Sequence, residues 1–106
     1  MSQLLWIRMA NLVFELEKKL PAQGASPAVQ RNMERMKSVL EEAGLLLLDP
    51  AGEPYLETRT DLEASITGSG QSPQVIMEVI KPILYTKEGA GRTLLQKGVV
   101  IVGNKK

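Results

Sequence analysis

Two different periods divide the chain. From Leu4 to Leu20, the apolar residues Leu5, Met9, Leu12 and Leu16 recur at steps of four, three and four, which stacks them on one face of a helix. Trp6, Val13 and Leu20 form a second row beside the first. With Leu4, Ile7, Ala10 and Phe14 added, only a narrow polar strip through Arg8, Asn11, Glu15 and Lys18 remains. So wide an apolar arc requires neighbours on more than one side. Pro21 stops this helix, and Ala22 to Ala25 make a short connection. Ser26 before Pro27 then reads as an N-cap hydroxyl ahead of a proline in the first turn, where the missing N–H costs nothing. In the helix it opens, Val29, Met33, Met36 and Leu40 repeat at four, three and four, with Val39 and Ala43 alongside. Gly44 is placed to be its left-handed C-terminal residue.

Two helices so closely linked are expected to lie antiparallel. They bury too little surface by themselves, so the wide apolar arc predicts self-association. The expected contact residues are Leu5, Met9, Leu12 and Leu16 on the first helix and Met33, Met36 and Leu40 on the second. The Met33 and Met36 pair suits core or dimer packing better than an adaptable ligand groove.

After Gly44 the texture becomes β. Leu45 to Leu48 is too short for a helix and ends in Asp49, Pro50, Ala51 and Gly52. Short apolar or β-branched segments follow at Ala64 to Thr67, Val75 to Ile80, Leu84 to Thr86 and Val99 to Val102, and Leu94 and Leu95 add one further strand. Gly68 to Pro73 and Lys87 to Gly91 separate them, and Asn104 to Lys106 reads as a polar tail. The expected architecture is α+β: an antiparallel helical hairpin over residues 1–44, pairing as a dimeric four-helix bundle, then a small all-β head over residues 45–106. A chain of 106 residues is the size of one cooperative unit.

Composition removes much chemistry. There is no Cys and no His, which excludes disulfides, thiol nucleophiles, Cys/His zinc sites and imidazole catalysis. Thirteen Lys and Arg against twelve Asp and Glu give a net charge of +1, no bulk attraction for nucleic acid or an anionic membrane. The basic C-terminal residues Lys87, Arg92, Lys97, Lys105 and Lys106 have only Tyr85 among them, which lacks the aromatic interleaving of a single-strand binder. The apolar run Leu45 to Leu48 falls far short of the roughly 20 residues of a membrane span, so the chain reads as soluble and intracellular. Gly68, Ser69, Gly70 and Gly89, Ala90, Gly91 lack the context of a phosphate loop and read as connections. Glu53, Glu57, Asp61 and Glu63, interspersed with Arg59, read as solvated loop charges rather than an acid-base pair. Arg92 stands apart. An arginine projecting from a glycine turn is either a solvated loop residue or a preordered anchor for a partner carboxylate.

The ordered string carries a further signal. A helix ending Val39-Leu-Glu-Glu-Ala-Gly-Leu45 is followed by Asp49-Pro-Ala-Gly-Glu-Pro-Tyr55, Glu63-Ala64 and Val75-Ile-Met-Glu-Val-Ile80. Tyr85, Gly91-Arg92 and a closing Val99-Val-Ile-Val102 complete it. From Ser26 onward this resembles the C-terminal half of GrpE-type nucleotide exchange factors. The resemblance implies a dimer with a helical bundle and a six-stranded β head on each protomer. It also implies a stress-response co-chaperone with no cofactor and no chemistry of its own. Such a factor docks one head on the ATPase domain of a DnaK-type chaperone and speeds ADP release, in the cytoplasm or an organelle matrix.

By position, the chaperone-facing residues would be Tyr55, Ile80, Arg92 and Val102, although by composition alone Tyr55, Ile80 and Val102 are better candidates for core than for contact, which leaves Arg92 as the best single candidate. The chain departs from the family at Leu62, where a His is usual, and at Gln96, where a second Arg is usual. The long N-terminal helix of the family has no counterpart, which implies either a piece of a longer protein or a short, divergent relative. Two rivals stand beside exchange activity: a dimerisation or adaptor module that keeps the fold, and a small enzyme using the Glu53 to Glu63 carboxylates.

Overall fold

The computed structural model describes residues 3–20, 26–68 and 73–104. Two helices, α1 (Gln3–Lys19) and α2 (Pro27–Glu42), precede six strands: β1 (Leu45–Leu48), β2 (Leu62–Ile66), β3 (Gln74–Lys81), β4 (Ile83–Glu88), β5 (Gly91–Gln96) and β6 (Gly98–Asn104). The α+β expectation holds at this level. The expected connection at Ala22 to Ala25, most of the Gly68 to Pro73 loop and the Lys105–Lys106 end lie outside the described residues.

Both ends of α2 follow from its sequence. Ser26 sits in extended backbone, and its hydroxyl accepts from the Val29 N–H at 3.2 Å, satisfying one of the donors that a helix start leaves open. Gly44 takes φ +90°, which a side-chain-bearing residue rarely adopts, and its N–H reaches the Glu41 carbonyl at 2.9 Å. Replacing Ser26 by Ala is expected to cost about 1 kcal/mol of unfolding free energy; unchanged denaturant midpoints would contradict the capping role.

The strands form two three-stranded sheets, ordered β1-β4-β5 and β2-β6-β3. The first is antiparallel throughout; in the second, β2 runs parallel to the central strand β6 and β3 antiparallel to it. Single residues, Pro82 between β3 and β4 and Lys97 between β5 and β6, carry the chain from one sheet to the other. These two crossings are tied together. The Gln96 side-chain amide donates to the Pro82 carbonyl at 2.9 Å, and the buried Gly98 lies so close that an added Cβ would stand 2.8 Å from Ile83 Cγ1. Two bulges in β3 place Met77 with Glu78, and Ile80 with Lys81, against single residues of β6. The in-out alternation of a strand thereby becomes in-out-out, and Ile76 and Val79 point inward while Met77, Glu78, Ile80 and Lys81 are exposed.

Two apolar clusters hold these parts together. One gathers Leu62, Ile76, Val79, Ile83, Val100 and Val102 from the strands, with Phe14 of α1 inserted among them at 2% exposure. The other joins Ala10 and Val13 of α1 and Met33 and Leu40 of α2 to Leu45 and Leu84 of the strands. Neither cluster belongs to the helices or to the strands alone.

The polar strip of α1 contributes as well. Asn11 and Gln96 exchange two amide hydrogen bonds, both 2.9 Å, and Lys18 lies 5.6 Å from the Phe14 ring centroid while donating to the Val79 carbonyl. Lys37 of α2 holds Glu17 of α1 at 2.8 Å, and this hydrogen bond raises the lysine above its ordinary pKa. A closely wound hairpin would set Glu17 near the first turn of α2 instead, so an antiparallel hairpin does not follow from these contacts.

Candidate partner-docking surfaces

The expected surface residues fall into three environments. On α1, Leu5, Met9, Leu12 and Leu16 are between 47% and 59% exposed, so the first row read from the periodicity is a continuous apolar stripe. It forms one wall of a groove of about 670 Å³ whose other wall is Met36, Val39 and Leu40 of α2, with Arg8 and Arg35 at the rim. Met33 and Leu40, expected at the same interface, are only 4% and 3% exposed and pack within the chain's own cluster. Met33 does not line the groove, and Leu40 reaches it only with what little surface its packing beside Ala10 and Val13 leaves. Met36 is half-buried between the two situations.

On the strands, a short hairpin positions Arg92. Gly89 and Ala90 make a two-residue turn, with Gly89 at positive φ, and the register pairs Glu88 with Gly91, Lys87 with Arg92 and Tyr85 with Leu94. Arg92 is therefore the diagonal neighbour of Tyr85 on one face, and its guanidinium stacks 4.2 Å from the Tyr85 ring centroid. Tyr85 in turn packs on the strand cluster. The result is an exposed arginine held against an aromatic ring, the preordered form of the two read from the sequence.

Close by, Arg59 holds Asp61 through two hydrogen bonds of 3.0 and 2.9 Å and reaches Glu53 at 3.0 Å. The loop carboxylates are thus a structural clasp. Hydrogen bonding from Arg59 lowers the Asp61 pKa below its ordinary value against the opposing effect of burial, and the positive charges of Arg59 and, last, of Arg92 add to this. A carboxylate with a depressed folded pKa stabilises the fold above the unfolded value of about 4, and that stabilisation is lost as pH falls through the folded value. Arg59→Ala is expected to lower stability by about 0.5–1 kcal/mol at neutral pH. The difference should shrink progressively in acid; a pH-independent difference would contradict the pairing.

The other three expected head residues separate. Tyr55 is half-buried against the strand cluster, its N–H bonded to the Gln74 carbonyl at 2.9 Å. Ile80 is 49% exposed because the second bulge turns it outward. Val102 is 0% exposed on the central strand, so its side chain has no surface to offer a partner and its role is to support the sheet from within. Sequence reading missed Leu56 and Met77, which are 61% and 58% exposed. A strand's period of two puts Met77 on the same side as its exposed neighbours only once the bulges are known.

Compared with known proteins, the chain is 30% identical over 69 residues to the protein GrpE of Leptospira interrogans serovar copenhageni (strain Fiocruz L1-130) and, equally, to that of serovar Lai (strain 56601). The match covers 65% of this chain and 32% of each of those proteins. The chain therefore spans about a third of the length of the curated relatives it matches. No family model matches the chain, and no solved structure matches it.

Proposed function

We propose that this chain is a GrpE-like co-chaperone. Its strand region docks on the ATPase domain of a DnaK-type chaperone and accelerates ADP release, and its helices join two copies into a homodimer. The observation that carries the reading is Arg92. The resemblance of the ordered string to GrpE-type factors supports a contact at this residue, which stands exposed and stacked over Tyr85. Ile80 and the exposed edge of Tyr55 complete the proposed contact, whereas Val102 acts behind it. The division at residues 44 and 45 is one of labour, because both apolar clusters cross it.

The factor performs no bond chemistry. A partner that binds the open nucleotide cleft better than the closed one lowers ADP affinity by the same free energy that ADP subtracts from the partner's own affinity. The reading is tested by titrating the chain against the ATPase domain of a DnaK-type chaperone, nucleotide-free and ADP-saturated. Tighter binding to the nucleotide-free form is expected, and equal affinity for both forms would overturn it. Arg92→Ala is expected to weaken binding by about 1–3 kcal/mol with the fold intact; unchanged affinity would remove Arg92 from the contact.

One observation favours a second reading, an adaptor with this fold and no exchange activity. Gln96, where the family commonly has a second Arg, is committed to Asn11 and Pro82 and supplies no charge to a partner. Binding without a difference between the nucleotide states is the result that reading requires.

A further inference from the structure

The outer edge of β5 is an unused ladder. β5 ends the order β1-β4-β5, and the phase of its pairing with β4 is fixed from both sides. The two-residue turn makes Glu88 and Gly91 a hydrogen-bonded pair, and across β4 the Lys87 N–H donates to the Gly44 carbonyl at 2.8 Å. Lys87 and Tyr85 therefore direct their backbone groups toward β1, and the residues opposite them, Arg92 and Leu94, turn theirs away from β4. Among the described residues nothing bonds to these two donors and two acceptors. Gly91, Arg92 and Thr93 are exposed and Leu94 is half-buried, and neither a proline nor a further strand blunts the edge.

We infer that the β5 edge takes an extended acidic peptide segment as a further antiparallel strand, with a carboxylate of that segment on Arg92. Lys87 and Arg92 stand directly opposite each other, a like-charge pair that a strand ladder disfavours. Lys87 is relieved by Glu41 at 2.9 Å, whereas Arg92 takes part in none of the ion pairs among the described residues and has the Tyr85 ring beneath it. An incoming residue opposite Arg92 lies about 5.5 Å away between Cα atoms, so a glutamate there supplies an anion while its backbone exchanges both hydrogen bonds with Arg92. Leu94, two residues on and on the same face, matches an apolar residue two positions earlier in the incoming segment. The main chain thus gives affinity, and these two side chains give selectivity. A second copy fits this edge less well, because β5 reads Gly-Arg-Thr-Leu-Leu-Gln and brings no carboxylate.

The test adds the blocked heptapeptide Ser-Thr-Val-Thr-Glu-Thr-Ser to the whole chain and follows NMR shifts and amide hydrogen exchange. At saturation the Arg92 and Leu94 amides are expected to exchange at least about tenfold more slowly, while Thr93, already paired with Thr86, stays unchanged. N-methylation of the peptide's valine or glutamate, whose N–H groups face β5, is expected to abolish binding, and N-methylation of the threonine between them to leave it intact. Glutamine in place of the peptide's glutamate and Arg92→Gln in the chain are each expected to weaken binding about fivefold, and no further when combined. No binding, equal binding of the methylated isomers, or unslowed Arg92 and Leu94 amides would overturn the added strand. Indifference to both substitutions would overturn its acidic character. Slowing of the same amides with rising chain concentration and no peptide would assign the edge to a second copy instead. Strand addition needs no exchange activity and its test contains no chaperone, so its failure and the failure of nucleotide exchange are told apart.

Discussion

Phe14→Ala is expected to remove about 3–5 kcal/mol of unfolding free energy, several times the effect of losing the Ser26 cap. The side chain is 2% exposed and projects from a helix into a cluster otherwise made of strand residues. Its loss leaves a void lined by Leu62, Ile76, Val79 and Val100, on strands whose own pairings resist collapse into it. It also deprives Lys18 of the ring it lies over. Because the same helix bears Ala10 and Val13 of the second cluster, the helical circular dichroism and the Tyr signals of the strands should lose stability together. Separate transitions, with the strands unaffected, would show that the helices and strands do not share a core.

Leu12→Asp is expected to act on association instead. Leu12 is 59% exposed in the single chain, so a carboxylate there leaves the fold almost untouched, and the midpoint of thermal unfolding of the isolated chain should barely change. At the centre of a paired stripe the same carboxylate is set among apolar side chains and loses its water. We expect the dimer dissociation constant to rise at least about a hundredfold, equivalent to about 2.7 kcal/mol. Unchanged self-association in sedimentation experiments would show that the stripe is not where two copies meet.

What the sequence made legible was whatever depends on local chemistry. Ser26 with Pro27 and Gly44 bracket α2 because caps are decided within one turn, and the stripe from Leu5 to Leu16 is a matter of period alone. Strand positions were also approximately readable, including the one marked only by Leu94 and Leu95, because apolar β-branched runs between turn residues leave few alternatives. Long-range partnership was not readable. Phe14 looked like one more residue of a wide apolar arc, and only the tertiary fold sends it into the sheets while Leu12 stays outside. Asn11 and Gln96, 85 positions apart, have no local signature for an amide pair. Nor could the residues alone place Val102, which the string assigned to the contact and the central position of β6 buries. The loop carboxylates illustrate the same limit: their solvated reading missed that Arg59 gathers Asp61 and Glu53 into one clasp.

Whether this chain opens the nucleotide cleft of a chaperone, as proposed, is decided by stopped-flow release of a fluorescent ADP analogue from a DnaK-type chaperone of the same source. The release rate is expected to rise with the concentration of this chain and saturate, with Arg92→Ala shifting the curve to higher concentration. A release rate that stays at its unassisted value, with the chain folded and dimeric, would contradict it.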